Sequence, residues 1–154
     1  ELVKAELVDE TGLMEEDYFD DGFPLAVGSD GTEISFFQKD VREIQLAKSA
    51  VRAGLETLIL NFGASYEDIE AIYIAGGFGY KMDIVKAVGI GLLPEECQDK
   101  IEAVGNSCLK GTRTYLLSSD CTERVQRILE SSSEVQLSND KHFNEFYMDY
   151  MYFE

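Results

Sequence analysis

Three groups of residues have types and spacing suited to binding chemistry. The first is Gly76, Gly77, Phe78 and Gly79, in the stretch IYIAGGFGYKMD (72–83), where an apolar, β-branched run ends in glycines and a helix begins. Such a turn gathers backbone N–H groups at the carboxyl edge of a sheet, where ligands of α/β proteins bind. A position without Cβ lets a flat ligand approach the main chain. The second group is Gln45, Lys48, Ser49, Arg52 and Glu56, which recur at helical spacing and form a polar, partly cationic stripe. Beside a buried face, that stripe could meet a nucleotide; its plainer reading is a solvated flank with Glu–Lys–Arg pairing. The third is EEDYFDD (15–21), which could attract a cation or a basic partner but reads first as a solvated acidic surface.

Other chemistries are disfavoured. The phosphate loop GxxxxGK[ST] is absent, and GGFG does not satisfy the dinucleotide fingerprint GxGxxG. Cys97, Cys108 and Cys121 are far apart, with no CxxC pair and one histidine in the chain, so neither a zinc nor an iron–sulfur site is expected from these residues. An odd cysteine count without a disulfide framework fits a reducing, cytoplasmic setting.

The elements that must position these groups follow from periodicity. FPLAV (23–27) and EISFF (33–37) flank GSDG (28–31), a hairpin signal. A long helix is expected over 39–62, with Asp40 as its N-cap, Glu43 completing a capping box and Gly63 as its stop. Ile44, Ala47, Val51, Leu55, Leu58 and Phe62 would form its buried face, with the polar stripe alongside. AIYIA (71–75) suits a buried strand, followed by a helix near 82–92, and IEAVG (101–105) a second strand. NSCLKGTRTYLLS (106–118) reads as a helix capped by Asn106, whose small residues Asn106, Ser107, Cys108 and Gly111 would let it lie close to the sheet. A helix over 120–130, a strand EVQLS (134–138) and an aromatic helix over 139–153 complete the chain, with Phe143, Phe146, Tyr147, Tyr150 and Met151 on one docked face. Residues 1–8 read as the end of a helix, so Glu1 looks like a cut into a longer protein.

The 154 residues suffice for one domain with a core. The expected division is an acidic loop and hairpin over 1–37 and a nucleotide-binding α/β subdomain over 38–154. The formal net charge of −17 disfavours nucleic acid and anionic membranes as partners. No apolar run is long enough to span a bilayer.

The blocks QKDVREIQLAKSAVRAGLETLI (38–59), IYIAGGFGYKMD (72–83), IGLLPEE (90–96), VGNSCLKGTRTYLLS (104–118) and VQLSNDKHFNEFYMDYMYF (135–153) resemble, in this order, the C-terminal part of the ferredoxin-like reductive activators of corrinoid proteins. These belong to the superfamily of acetate and sugar kinases, heat-shock chaperone ATPases and actin. The resemblance implies an α/β fold, the second subdomain of an actin-like (ribonuclease H-like) ATPase. It also implies a role in ATP-dependent reduction of a corrinoid protein from Co(II) to Co(I). ATP with Mg would be bound by the whole protein, and a [2Fe–2S] cluster by an N-terminal domain outside this chain. Carried over, Gly76, Gly77 and Phe78 would form the adenine turn, and Gln45, Lys48, Ser49 and Arg52 would face base and ribose. The upstream phosphate loops are not in this stretch, so alone it is expected to be inactive. The partner implied is a corrinoid protein, with a homodimer the expected alternative to a monomer. The competing expectation is a non-catalytic interaction module with a degenerate nucleotide cleft; a small-molecule kinase of the same superfamily ranks third.

Overall fold

The computed structural model describes residues 2–153, except for the side chains of Phe78 and Tyr80. The chain opens with turns over 2–6, not a helix, and Val8 pairs with Met14 in an isolated bridge. The hairpin forms as its turn residues dictate: β1 (Phe23–Val27) runs antiparallel to β2 (Glu33–Phe36), with Phe23 opposite Phe36. The register shifts between Pro24 and Ala26, where a residue without an N–H is tolerated.

Helix α1 (Gln38–Phe62) follows, about 37 Å long at 1.5 Å per residue. Its first turn differs from the expected one. Phe37 is the N-cap, and Asp40, inside the helix, accepts the Phe37 N–H at 2.9 Å. Gly63 ends the helix in the left-handed region (φ 72°), where glycine bears no Cβ penalty.

The faces of α1 are inverted relative to the periodicity. Ile44 (37%), Val51 (48%), Leu58 (50%) and Phe62 (88%) are exposed. Val41, Gln45, Lys48, Ser49, Arg52, Ala53, Gly54 and Thr57 are buried. The reason is α6 (Lys141–Asp149), which docks along α1, while residues 150–152 beyond it bring carbonyls to Gln45 and Lys48, and Ser49, Arg52 and Thr57 find acceptors on α1 itself. Buried polar groups persist where such partners meet them.

After α1, β3 (Ile72–Ala75) pairs in parallel with β4 (Ile101–Gly105), Ile72 opposite Ile101 and Ala75 opposite Gly105. The crossover carries two short helices, α2 (Gly77–Lys81) and α3 (Ile84–Gly89), in place of one helix near 82–92. The break falls at Asp83, whose carboxylate caps α3 by accepting the Lys86 N–H. β3 is not buried: Tyr73 is 64% exposed, because the described sheet has two strands and one face open. Then come α4 (Ser107–Leu117) and α5 (Cys121–Ser131). Ser107, Cys108 and Gly111 do not pack on the sheet; they are exposed, and a Cβ at Gly111 would meet nothing within 4 Å. EVQLS forms no strand. A 3₁₀ turn over Leu137–Asn139 takes its place, since no strand of the described residues lies beside it.

The core joins the two ends of the chain. Val8, Met14, Val41 and Phe153 form a buried cluster, with Leu2, Val3, Tyr18, Phe23 and Phe36 packed against it. Gln38 fastens the N-terminal arm to α1: its Oε1 accepts the Met14 N–H and its Nε2 donates to Gly12 O, both at 2.8 Å. The aromatic stripe of α6 is half-buried, as its spacing predicts, and Met151 beyond it is buried.

Candidate functional site

The structure distributes the sequence-derived residues over two sites. The first is a crevice of about 520 Å³ lined by Gly76, Gly77, Ala103, Val104, Gly105, Asn106 and Lys110. It exists because two parallel strands end side by side, each in a glycine that leads to a helix. Gly76 N–H donates to Gly105 O at 2.8 Å, locking the two turns together. Both take positive φ (96° and 70°), a conformation open to glycine. Asn106 caps α4 by accepting the Leu109 N–H at 2.9 Å. Lys110 leans back across the turn and donates from Nζ to Val104 O at 2.7 Å, leaving a cation on the wall of the crevice.

The glycines have separable causes. A Cβ on Gly79 would run into Ile74, so this glycine is required where α2 approaches β3. Gly76 is required by its φ. Gly77 lies at the first position of α2 with neither constraint: its φ is outside the left-handed range, and a Cβ there would meet nothing within 4 Å. Gly77 is among the residues that line the crevice. The side chain of Phe78, the third residue of the expected turn, lies outside the described residues.

The second site is a cavity of about 610 Å³ between α1, α3 and the end of the chain, lined among others by Lys4, Lys48, Arg52, Leu93, Tyr150 and Tyr152. It shares no lining residue with the glycine crevice. Lys48, 2% exposed, donates to Tyr150 O at 2.6 Å and Tyr152 O at 2.5 Å. Gln45 Nε2 donates to Met151 O at 2.8 Å and Thr11 O at 2.9 Å. Ser49 Oγ turns inward to Gln45 O at 2.5 Å. Arg52 Nε pairs with Glu56 Oε1 at 2.9 Å, and its guanidinium lies over the rings of Tyr150 (5.0 Å) and Tyr66 (5.6 Å). The same Glu56 oxygen accepts the Tyr150 hydroxyl at 2.9 Å and the Tyr66 hydroxyl. Burial pushes both tyrosine hydroxyls up in pKa, and donation to the Glu56 carboxylate pushes them further. Burial works against the Arg52 cation, but Tyr66, Tyr150 and Glu56 outweigh it and raise its pKa.

Gly76 and Gly77 are thus brought together with each other, and Gln45, Lys48, Ser49 and Arg52 with one another, but the two sets occupy different cavities. Sequence reasoning did not single out Lys110; the signal was its place four residues after Asn106 in the second strand–glycine–helix unit. It also missed Tyr66 and Tyr150 as partners of Glu56, the first ten positions away and the second 94, a separation that no local spacing encodes.

Among the described residues, no group of three or more His, Cys, Asp or Glu is arranged to hold a metal ion. Cys97 and Cys121 are buried apart from exposed Cys108, and burial pushes the Cys97 thiol up. These residues do not fit an iron–sulfur cluster. The acidic stretch 15–21 is almost wholly exposed around a 3₁₀ turn over Glu16–Tyr18. No described helix is long and apolar enough to cross a membrane.

A long helix followed in the chain by a glycine-edged parallel strand pair fits an actin-like α/β domain. The chain belongs to the family described as the C-terminal domain of RACo, the ASKHA domain, which matches residues 3–154. It is similar to a solved structure of a reductive activator for corrinoid, iron-sulfur protein, at a TM-score of 0.86 and 30% identity, over 99% of this chain and 26% of that one. It is 38% identical over 119 residues to the corrinoid activation enzyme RamQ of Eubacterium limosum, covering 77% of this chain and 20% of the relative. It is 32% identical over 120 residues to a [Co(II) methylated amine-specific corrinoid protein] reductase of Methanosarcina barkeri, covering 77% and 22%. The chain therefore spans about a fifth of the curated relatives it matches.

Proposed function

We propose that this chain is the nucleotide-binding part of an ATP-dependent activator that returns a corrinoid protein from Co(II) to Co(I). ATP would sit against the turn formed by Gly76, Gly77 and Phe78, with Lys110 beside it. Gln45, Lys48, Ser49 and Arg52 would face base and ribose once the domain closes. The observation that carries this reading is Gly77, a glycine that neither backbone conformation nor packing requires, facing an open crevice. The relatives' described roles in corrinoid activation support the partner. Bound ATP would supply the free energy for an otherwise unfavourable electron transfer. It can do so by binding one domain arrangement more tightly than another, since a ligand shifts an equilibrium only by its differential affinity. The electron would come from a [2Fe–2S] cluster in another part of the protein, and Mg would be held by the phosphates and by residues other than a cluster in this chain.

The test is anaerobic reduction of a Co(II) corrinoid protein by the full-length protein, with and without ATP, followed by visible absorption. Expected is a [2Fe–2S] spectrum and loss of the Co(II) band only with ATP. A colourless, iron-free protein, or reduction indifferent to ATP, overturns the reading. One observation favours a second reading, an interaction module with a silent cleft: the donors of α1 are already committed to the chain's own carbonyls. Absence of any ATP binding by the full-length protein would decide for it.

A further inference from the structure

The donors on α1 and the acceptors that hold them form a device of their own. Three consecutive carbonyls beyond α6, those of Tyr150, Met151 and Tyr152, are taken by Lys48 and Gln45. Phe153 completes the attachment: its ring lies 5.0 Å from Lys48 Nζ, its N–H donates to Glu10 O at 2.8 Å, and its side chain enters the core beside Val41. Gln45 reaches the arm as well as the tail, over Gly12, where a Cβ would collide with its amide.

The tail thus offers these donors backbone carbonyls, neutral dipoles that a phosphate or ribose oxygen can replace. The Lys48 bonds to these carbonyls are charge-assisted by the ammonium alone; an anionic phosphate oxygen in their place would add a full opposite charge. Lys48 and Arg52 also border the 610 Å³ cavity, of which Tyr150 and Tyr152 form part of the wall. Withdrawal of residues 150–153 would leave the same donors facing an enlarged cavity.

We propose that residues 150–153 are a releasable latch. They occupy the polar face of α1 in the absence of nucleotide and leave it when nucleotide takes Lys48 and Gln45. This rests on the nucleotide reading above and adds its regulation: tail and ligand compete for one set of donors, so each weakens the other's hold by the same factor. Release also exposes Phe153 and Met151, coupling occupancy of the site to a change on the molecular surface.

The test uses the full-length protein with and without saturating ATP. Hydrogen exchange of the peptide covering 146–153 is measured in the wild type, which requires no variant to fold. ATP affinity is then measured for the wild type, for deletion of residues 150–153, and for the milder F153A, each checked for folding by circular dichroism. Expected is tail exchange at least tenfold faster with ATP, and tighter binding by at least tenfold in the deletion and a few-fold in F153A. ATP binding only after the tail is loosened also supports the latch. Wild-type ATP binding with tail exchange unchanged overturns the latch and leaves the nucleotide reading intact. No ATP binding by the wild type or either variant overturns both.

Discussion

The two halves of the molecule are built on opposite plans. In one, α1, the N-terminal arm and the tail enclose one another, and even a lysine and a glutamine are buried with their hydrogen bonds met inside the chain. In the other, β3, β4, α4 and α5 stay open: α4 has no buried residue, Leu116 and Leu117 are each 75% exposed, and the glycine crevice faces outward. Polarity therefore does not predict exposure here. Burial follows partners, and a polar side chain with carbonyls to meet goes inside while an apolar one with nothing against it stays out. Each half holds a cavity, one walled by buried, hydrogen-bonded side chains and the other by exposed glycine turns.

Lys48→Met should break the enclosed half most severely. Two charge-assisted bonds of a buried lysine are lost and two carbonyls lose their donor, so denaturant unfolding should register a loss of about 3 kcal/mol. Lys110→Met, its counterpart in the open half, should stay within roughly 0.5 kcal/mol. Equal losses would erase the contrast.

Within the open half, the glycines sharpen it. Gly79→Ala forces a Cβ against Ile74 and should cost roughly 1–3 kcal/mol. Gly77→Ala, pointing into open space, should be neutral or slightly stabilising, because alanine is the better helix former. Thermal melts that rank the two the other way would discredit the separate causes assigned to these glycines.

A smaller effect comes from pH. Tyr66 and Tyr150 have pKa values raised above the ordinary 10.0, so the folded state favours their neutral forms. Below pH 10 both states are neutral and this contribution is fully present. As pH rises through 10, the unfolded chain ionises first and stability falls. Urea midpoints should therefore drop from pH 8 to about pH 10.5, and drop less in Tyr150→Phe, which at neutral pH costs about 1 kcal/mol. An equal alkaline loss in both proteins would remove Tyr150 from the account. The smallest change is expected from Leu58→Ser on the exposed stripe of α1, within about 0.5 kcal/mol by the same unfolding assay.

Much of this was legible in the residues. GSDG announced the hairpin, Gly63 the end of α1, Asn106 the start of α4, and the two strand–glycine–helix units the paired turns. The face of α1 was not legible. Its buried side depends on carbonyls more than 100 positions away, and hydrophobic periodicity assumes that polar residues find no partner indoors. EVQLS alternates like a strand, but alternation cannot supply a neighbouring strand to pair with. For the candidate site, Gly76 and Gly77 could be found from the turn they make, whereas the separation of the α1 stripe from that turn is a tertiary fact.

The central claim is that Gly77 is a glycine for a ligand's sake. The direct measurement is calorimetric titration of ATP into the full-length protein and its Gly77→Val variant, with melting temperatures recorded for both. The account predicts affinity weakened more than tenfold, over 1.4 kcal/mol, at nearly unchanged melting temperature. Unchanged ATP affinity in a folded Gly77→Val protein would contradict it.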